Sequence, residues 1–312
     1  MNRLKYEILL LIISLFFLSC ETEFVPEDSD QEPEIVVEGY IEAGEDAAPP
    51  FVILTQSVSF FSEFDPEAID GLFVHDALVE VDDGSQIHQL NEFCVNDIPE
   101  PLRPAILNLL GFDIDPEMEF PNICAYVDTT GQLMGQVGGR YDLRIEVEGK
   151  VLTASTTIPG AVPIYDLHFI QPTEFSPDTL RELRASIDDP AGQIDFYRYF
   201  TAINQSPFQA PFQSVADDAF FDGQTFEFPL AKAESRTDPP GIDEFGLFAV
   251  GDTARIKWCT LDETHYNFWL TLEFNAISQG PFSSYTIVDS NIEGGIGIWG
   301  GYAVGVYEAV VE

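Results

Sequence analysis

Positive charge is what this chain has least of: 13 Lys and Arg stand against 54 Asp and Glu, a formal net charge of −41. Phosphate backbones need a basic footprint, so nucleic acid is excluded as a partner. The same deficit argues against adhesion to an anionic membrane surface, so any membrane attachment has to come from a lipid or an apolar segment. Most of the acidity reads as solubility and mutual repulsion. Histidines and cysteines number four each. There is no C-x-x-C pair, no H-E-x-x-H and no G-x-S-x-G elbow, and no serine has a base in motif context. With 54 acids, paired carboxylates arise by chance and carry no argument. The chain is therefore read as a binding or structural protein and not as an enzyme.

No stretch near the start reaches the ~20 apolar residues of a membrane-spanning helix. The run from Ile8 to Leu18, broken only by Ser14, has instead the length of a signal-peptide core, with Arg3 and Lys5 as its basic leader. It ends in Phe17-Leu18-Ser19-Cys20, the pattern of a bacterial lipoprotein signal, with Phe17 where Leu or Val is usual. The expectation is a signal peptide over 1–19 and a mature N-terminus at Cys20 carrying acyl chains, palmitate among them. Several such chains anchor durably where one alone is marginal. Residues 20–34, with five Glu, two Asp and two Pro, read as a solvated tether. Acids directly after the cysteine resemble the signal that sends Bacteroidota lipoproteins to the cell surface; a plain linker has the same charge. The expected location is the outer membrane, lipid-anchored and surface-exposed.

Hydrophobic content of 45%, with 26 Phe, 11 Tyr and 3 Trp, is ample for a core, and a body of this length divides most naturally into two domains. Tyr141, Leu143, Ile145 and Val147 alternate with charged residues, and Glu148-Gly149 turns the chain into Val151–Ile158. Further strands are expected at 35–41, 51–56 and 77–81, then at 183–187, 196–203, 254–259 and 303–311. The fold class is mainly β: two antiparallel sandwich-like domains, 35–160 (immunoglobulin-like) and 161–312, joined at Pro159–Pro163. Tyr141 has two readings, a tyrosine corner or a plain core tyrosine. Asp262 caps an expected helix to about Ile277, with Tyr266, Trp269, Leu270 and Phe274 along an apolar side. Trp299 and Tyr302, among glycines, are the aromatic candidates for exposure, with core the default.

Cys94 and Cys124 are the nearest pair and are expected to form a disulfide around an inserted segment, 94–124, whose residues 101–111 read as a short helix. That excursion is either a partner-binding element or a lid on its own sheet. Cys259 reads as a buried free thiol. Residues 205–246, rich in Phe and Pro, show few clear elements and are either functional or poorly ordered. Two acidic turns offer hard oxygen ligands for calcium: Asp217, Asp218 and Asp222 in one, and Asp188 and Asp189 with Asp195 in the other. Neither matches the D-x-D-x-D-G loop, and no other cofactor is expected.

Seven fragments in colinear order carry a resemblance across the mature chain. They are Cys20-Glu21, Ile35–Gly39, Gly135–Leu143, Phe220–Gln224, Gly251–Thr253, Leu261–Trp269 and Ser290–Gly295. In this order they resemble the Bacteroidota lipoprotein family termed domain of unknown function 4249. That resemblance implies a gene neighbour of the SusC type, a TonB-dependent receptor, and supplies no catalytic residues. The leading expectation is an accessory subunit of such a transporter, capturing substrate or gating. A structural or adhesion component of the envelope is the alternative; a surface hydrolase has no motif behind it. The cysteine-bounded segment and the Phe-rich stretch are the regions expected to carry the partner contact.

Overall fold

The computed structural model describes residues 32–58, 69–103, 122–173, 177–236, 238–277 and 287–312, without the side chains of 275–277. The first seven strands are β1 (Ile35–Ala43), β2 (Phe51–Gln56), β3 (Leu78–Asp82), β4 (Ile87–Cys94), β5 (Cys124–Val127), β6 (Arg140–Val147) and β7 (Lys150–Thr157). They are followed by β8 (Ile164–Ile170), β9 (Leu180–Asp188), β10 (Phe196–Ile203), β11 (Val215–Asp217), β12 (Thr225–Leu230) and β13 (Phe248–Ala249). Then come β14 (Thr253–Leu261), the helix α1 (Glu263–Ile277) and β15 (Ile296–Val310).

The fold is mainly β, and period-two alternation explains much of it. Along β6 the side chains of Tyr141, Leu143, Ile145 and Val147 are buried while Arg140, Asp142 and Arg144 face solvent. The turn to β7 is two residues long, with positive φ at Glu148 and Gly149, the type I′ geometry that matches strand twist. In β14 the same alternation buries Ala254, Ile256 and Trp258. The tyrosine-corner reading of Tyr141 fits the geometry: its hydroxyl donates to the carbonyl of Met134 (3.2 Å) and accepts from the N–H of Gln136 (2.8 Å), both upstream.

Strands pair in the order β11-β10-β14-β15-β1-β2-β5-β4-β3-β6-β7, and β8, β9, β12 and β13 make a second sheet. An open sheet of eleven strands curls or splits. Here β7 returns onto β15, where the N–H of Gly301 donates to Thr156 Oγ1 at 2.8 Å. The first core thus lies between strands β1–β7 and the N-terminal half of β15, which adds Trp299 and Ala303. A second core, with Ile164, Leu183, Ile187 and Phe248 on one side and Tyr197, Ile256 and Trp258 on the other, fills the space between the smaller sheet and β10–β14. A third lies under α1.

β15 joins these cores. Its first half pairs parallel with β1 (Val36 opposite Ile296 to Ala43 opposite Ala303), and its second half pairs antiparallel with β14. Its glycines explain the close packing: a side chain at Gly300 would collide with the ring of His265 on α1. The expected linker is docked, with Val162 buried, its N–H bonded to Thr260 Oγ1 (3.1 Å) and its carbonyl to Trp258 Nε1 (3.0 Å).

Several expectations need adjusting. The final strand starts at Ile296, inside the glycine-rich run, whereas Trp299 and Tyr302 keep their default place in the core. The stretch 205–246 contains β11 and β12, and Phe221 stacks on Phe226 with ring centres 4.7 Å apart. Asp262 caps α1 as expected, its Oδ1 accepting the N–H of His265 at 2.8 Å. Of its expected apolar side, Tyr266 and Trp269 pack inward, but Leu270 and Phe274 are 43% and 57% exposed, while His265 and Glu273 are inside. Positions 265, 269 and 273 share one face, and that face covers a buried arginine. In the 101–111 region a 3₁₀ turn spans Glu100–Leu102; residues 104–111 lie outside the described residues.

Candidate functional site

Cys94 and Cys124 form the disulfide expected of them, directly opposite each other on β4 and β5. They close the base of the segment between them, of which 104–121 lie outside the described residues. Its ends are held by further bonds: Asn96 N–H to Asn122 Oδ1 (2.9 Å), Asn122 N–H to Asp70 Oδ1 (2.6 Å) and Arg103 Nε to the Ile98 carbonyl (2.9 Å). The two cysteines are 30 apart in sequence. Replacing both with serine is expected to cost about 3–4 kcal/mol on the chain-entropy model. A lowered urea midpoint checks this, and a midpoint unchanged from the oxidised parent would sink it.

Beneath α1 lies a buried polar group around Arg198 of β10. Its Nη1 donates to the Tyr302 hydroxyl (2.7 Å), its Nε to Ser214 Oγ (3.0 Å), and Nη2 lies 4.0 Å from Glu273 Oε1. The guanidinium sits over the Trp269 ring, 3.3 Å from its centre. Glu273 in turn accepts from the N–H (2.9 Å) and the hydroxyl of Ser214. His265 stacks on Tyr40 and packs at a tilt against Tyr302, and burial, with Arg198 adding, holds its pKa down to about 3. It is therefore neutral through the physiological range. Cys259 is a buried free thiol whose pKa burial pushes up to about 12, which makes it unreactive.

The two acidic turns come together. Asp189, just past β9, Asp195, just before β10, and Asp218, just past β11, place one carboxylate oxygen each within 4.8 Å of the others, and all three are buried. Of the other acids named from sequence, Asp217 accepts the Tyr266 hydroxyl (2.9 Å), Asp188 accepts Tyr165 and Thr225 hydroxyls, and exposed Asp222 accepts the Gly192 N–H (2.8 Å). A cleft of about 250 Å³ lies elsewhere in the Phe-rich stretch, lined by Tyr199, Phe212, Leu230, Lys232 and Phe245 among others.

The family model described as domain of unknown function (DUF4249) matches residues 21–308. The chain belongs to this family. No curated protein matches the chain. DUF4249 membership covers all the elements just described, from β1 to most of β15.

Sequence reading of this DUF4249 chain missed the Arg198 group, because arginine is assigned to solvent by default. A signal was there: Arg198 is the one charged residue in Phe196–Ile203, and Glu273 the one charged residue between Tyr266 and Ile277. Lone charges inside apolar runs of adjacent elements are candidates for a buried pair. The lipidation residue expected from the sequence, Cys20, lies outside the described residues.

Proposed function

We propose that this protein is an outer-membrane surface lipoprotein serving a TonB-dependent receptor of the SusC type as a non-catalytic accessory subunit. The observation that carries the reading is Cys20, placed at the end of a short apolar run and followed at once by an acidic tether. Attachment through lipid suits a body with so few cations, and no helix among the described residues is long and apolar enough to cross a membrane. A non-catalytic role is supported by the interior: Arg198, Glu273, Ser214 and Tyr302 are engaged with one another, and His265 is neutral and buried. The aromatic cleft, at about 250 Å³, falls just short of the ~300–1,000 Å³ of small-molecule pockets. It suits a partner's side chain better than a whole ligand, which favours contact or gating over capture.

The test uses the full chain in its own host, tagged at the C-terminus, beside Cys20→Ala. The parent is expected to fractionate with the outer membrane, incorporate labelled palmitate and bring down a β-barrel receptor in mild detergent; Cys20→Ala is expected to lose label and membrane retention. An anchored parent that brings down no receptor ends the accessory reading. A Cys20→Ala chain that still carries label ends the lipoprotein assignment.

A further inference from the structure

Two carboxylate oxygens in the Asp189, Asp195 and Asp218 group have no hydrogen-bond partner: Asp195 Oδ2 and Asp218 Oδ1. Their residues are 7% and 0% exposed. The remaining oxygens are held by donors that fix the carboxylates. Asp189 Oδ1 accepts the Tyr197 hydroxyl (2.6 Å) and its Oδ2 the Gly223 N–H (2.9 Å). Asp195 Oδ1 accepts Gln193 Nε2 (2.9 Å), and Asp218 Oδ2 accepts the Asp195 N–H (3.0 Å). Every one of these donors is neutral, so nothing in them offsets three buried acids with oxygens within 4.8 Å of one another. A buried unpaired polar atom is costly, a buried unpaired charge far more so.

Two things relieve such a group: a shared proton or a cation. Burial first, and the neighbouring carboxylates second, hold Asp195 and Asp218 above the usual carboxylate range, so a proton is available to them in acid. Near neutrality and above, the donor set favours a metal. It is all oxygen, without the His or Cys that zinc and copper prefer, and it meets where the ends of β9, β10 and β11 come together. Calcium fits better than magnesium, because it takes six to eight oxygens in flexible geometry and sheds its water readily.

We infer that Asp189, Asp195 and Asp218 form a calcium site that ties the β9–β10 turn to the loop after β11. The loop that the ion would fix already returns on itself, with Phe221 N–H to the Asp218 carbonyl (2.7 Å) and Asp189 N–H to the Gln224 carbonyl (3.2 Å). It carries Phe220, 96% exposed, at its tip. An ion at its base would hold that aromatic in a defined position for a partner, while exposed Asp222 adds negative charge nearby.

Full-length protein, stripped with chelator and titrated with calcium chloride, tests the site. The unfolding temperature is expected to rise with calcium, with half-saturation on the order of 10⁻⁴–10⁻³ M, as in extracellular modules. Magnesium is expected to do little at the same concentration. Terbium should report one ion per chain through sensitised emission, Tyr197 being the nearest phenol. In Asp218→Asn and in Asp195→Asn the calcium-dependent rise is expected to vanish. Terbium titration of the parent stands independently of whether either variant folds. The inference is overturned if calcium up to about ten times that range leaves the parent unchanged and terbium does not saturate. It is overturned equally if the folded variants keep the full calcium response. In the first case the proton reading takes over: stability without calcium would rise as pH falls through the raised carboxyl pKa values, since the folded state then binds the proton more tightly.

Discussion

Arg198→Ala is expected to destabilise the protein by about 3–5 kcal/mol, the range for breaking a buried ion pair from one side. The side chain is 4% exposed and works in three ways at once. It donates to Tyr302 of β15 and to Ser214 ahead of β11, it stacks against Trp269 of α1, and it faces Glu273 one turn further along the helix. Alanine would remove the cation and leave Glu273 buried with only Ser214 as donor. It would also strand the Tyr302 hydroxyl in an apolar setting and open space under the Trp269 ring. The measurement is urea unfolding, read as a lower midpoint at unchanged slope. Arg198→Met combined with Glu273→Met is expected to lose less than the two single changes added together, because the stranded charge disappears. A loss under about 1 kcal/mol in Arg198→Ala would show that water reaches the site and that the pair is not buried in solution.

The parts of this fold that were legible in the sequence are those written in local pattern. β6 declares itself by alternation, its turn by Glu148-Gly149, and α1 by the Asp262 cap; β2 and β10 have the limits their composition gives them. β4 was not legible. Its sequence, Ile87–Cys94, is polar at half its positions without a clean alternation, and its buried members are His88 and Leu90. β5 is four residues long, too short for a period to show. Cys94 and Cys124 were legible as a pair because only one near partner existed, whereas the strand pairing that sets them opposite each other was not.

The acidic group shows the same division. Both turns are visible as composition, yet nothing local says that they meet. The β10–β11 register, which sets Phe196 opposite Asp217, places Asp195 and Asp218 at the next step of the ladder. Long-range pairing is thus the missing information, and it also hides the parallel contact of β1 with β15, elements separated by almost the whole chain. Parallel partners need a crossover and leave no hairpin signal between them. Half of the expected apolar side of α1, Leu270 and Phe274, faces solvent for a related reason. A helical wheel ranks faces by hydrophobicity, but the face turned inward here carries His265 and Glu273 because Arg198 lies beneath it.

Trp299→Ala is expected to be as damaging as the loss of Arg198, about 3–5 kcal/mol for a fully buried large aromatic. The indole is 0% exposed in the first core, although its strand belongs by sequence to the C-terminal region. Gly39, its partner in the β1–β15 register, makes room for it: a Cβ there would come within 2.9 Å of the ring. Its Nε1 donates to the Tyr141 carbonyl (3.1 Å), and its backbone exchanges bonds with the Asn291 side chain at 2.9 and 2.8 Å. Truncation would leave a cavity where β6, β1 and β15 meet and a buried carbonyl without its donor. Trp299→Phe should recover most of the packing but not the hydrogen bond, and so cost about 1–3 kcal/mol. Circular dichroism in urea gives both values. Because β15 pairs with β1 along one half and β14 along the other, the loss is expected in a single transition involving both halves of the chain. Two separated transitions in Trp299→Ala, one near the parent midpoint, would mean that the regions 35–160 and 161–312 unfold independently and that the shared strand does not couple them.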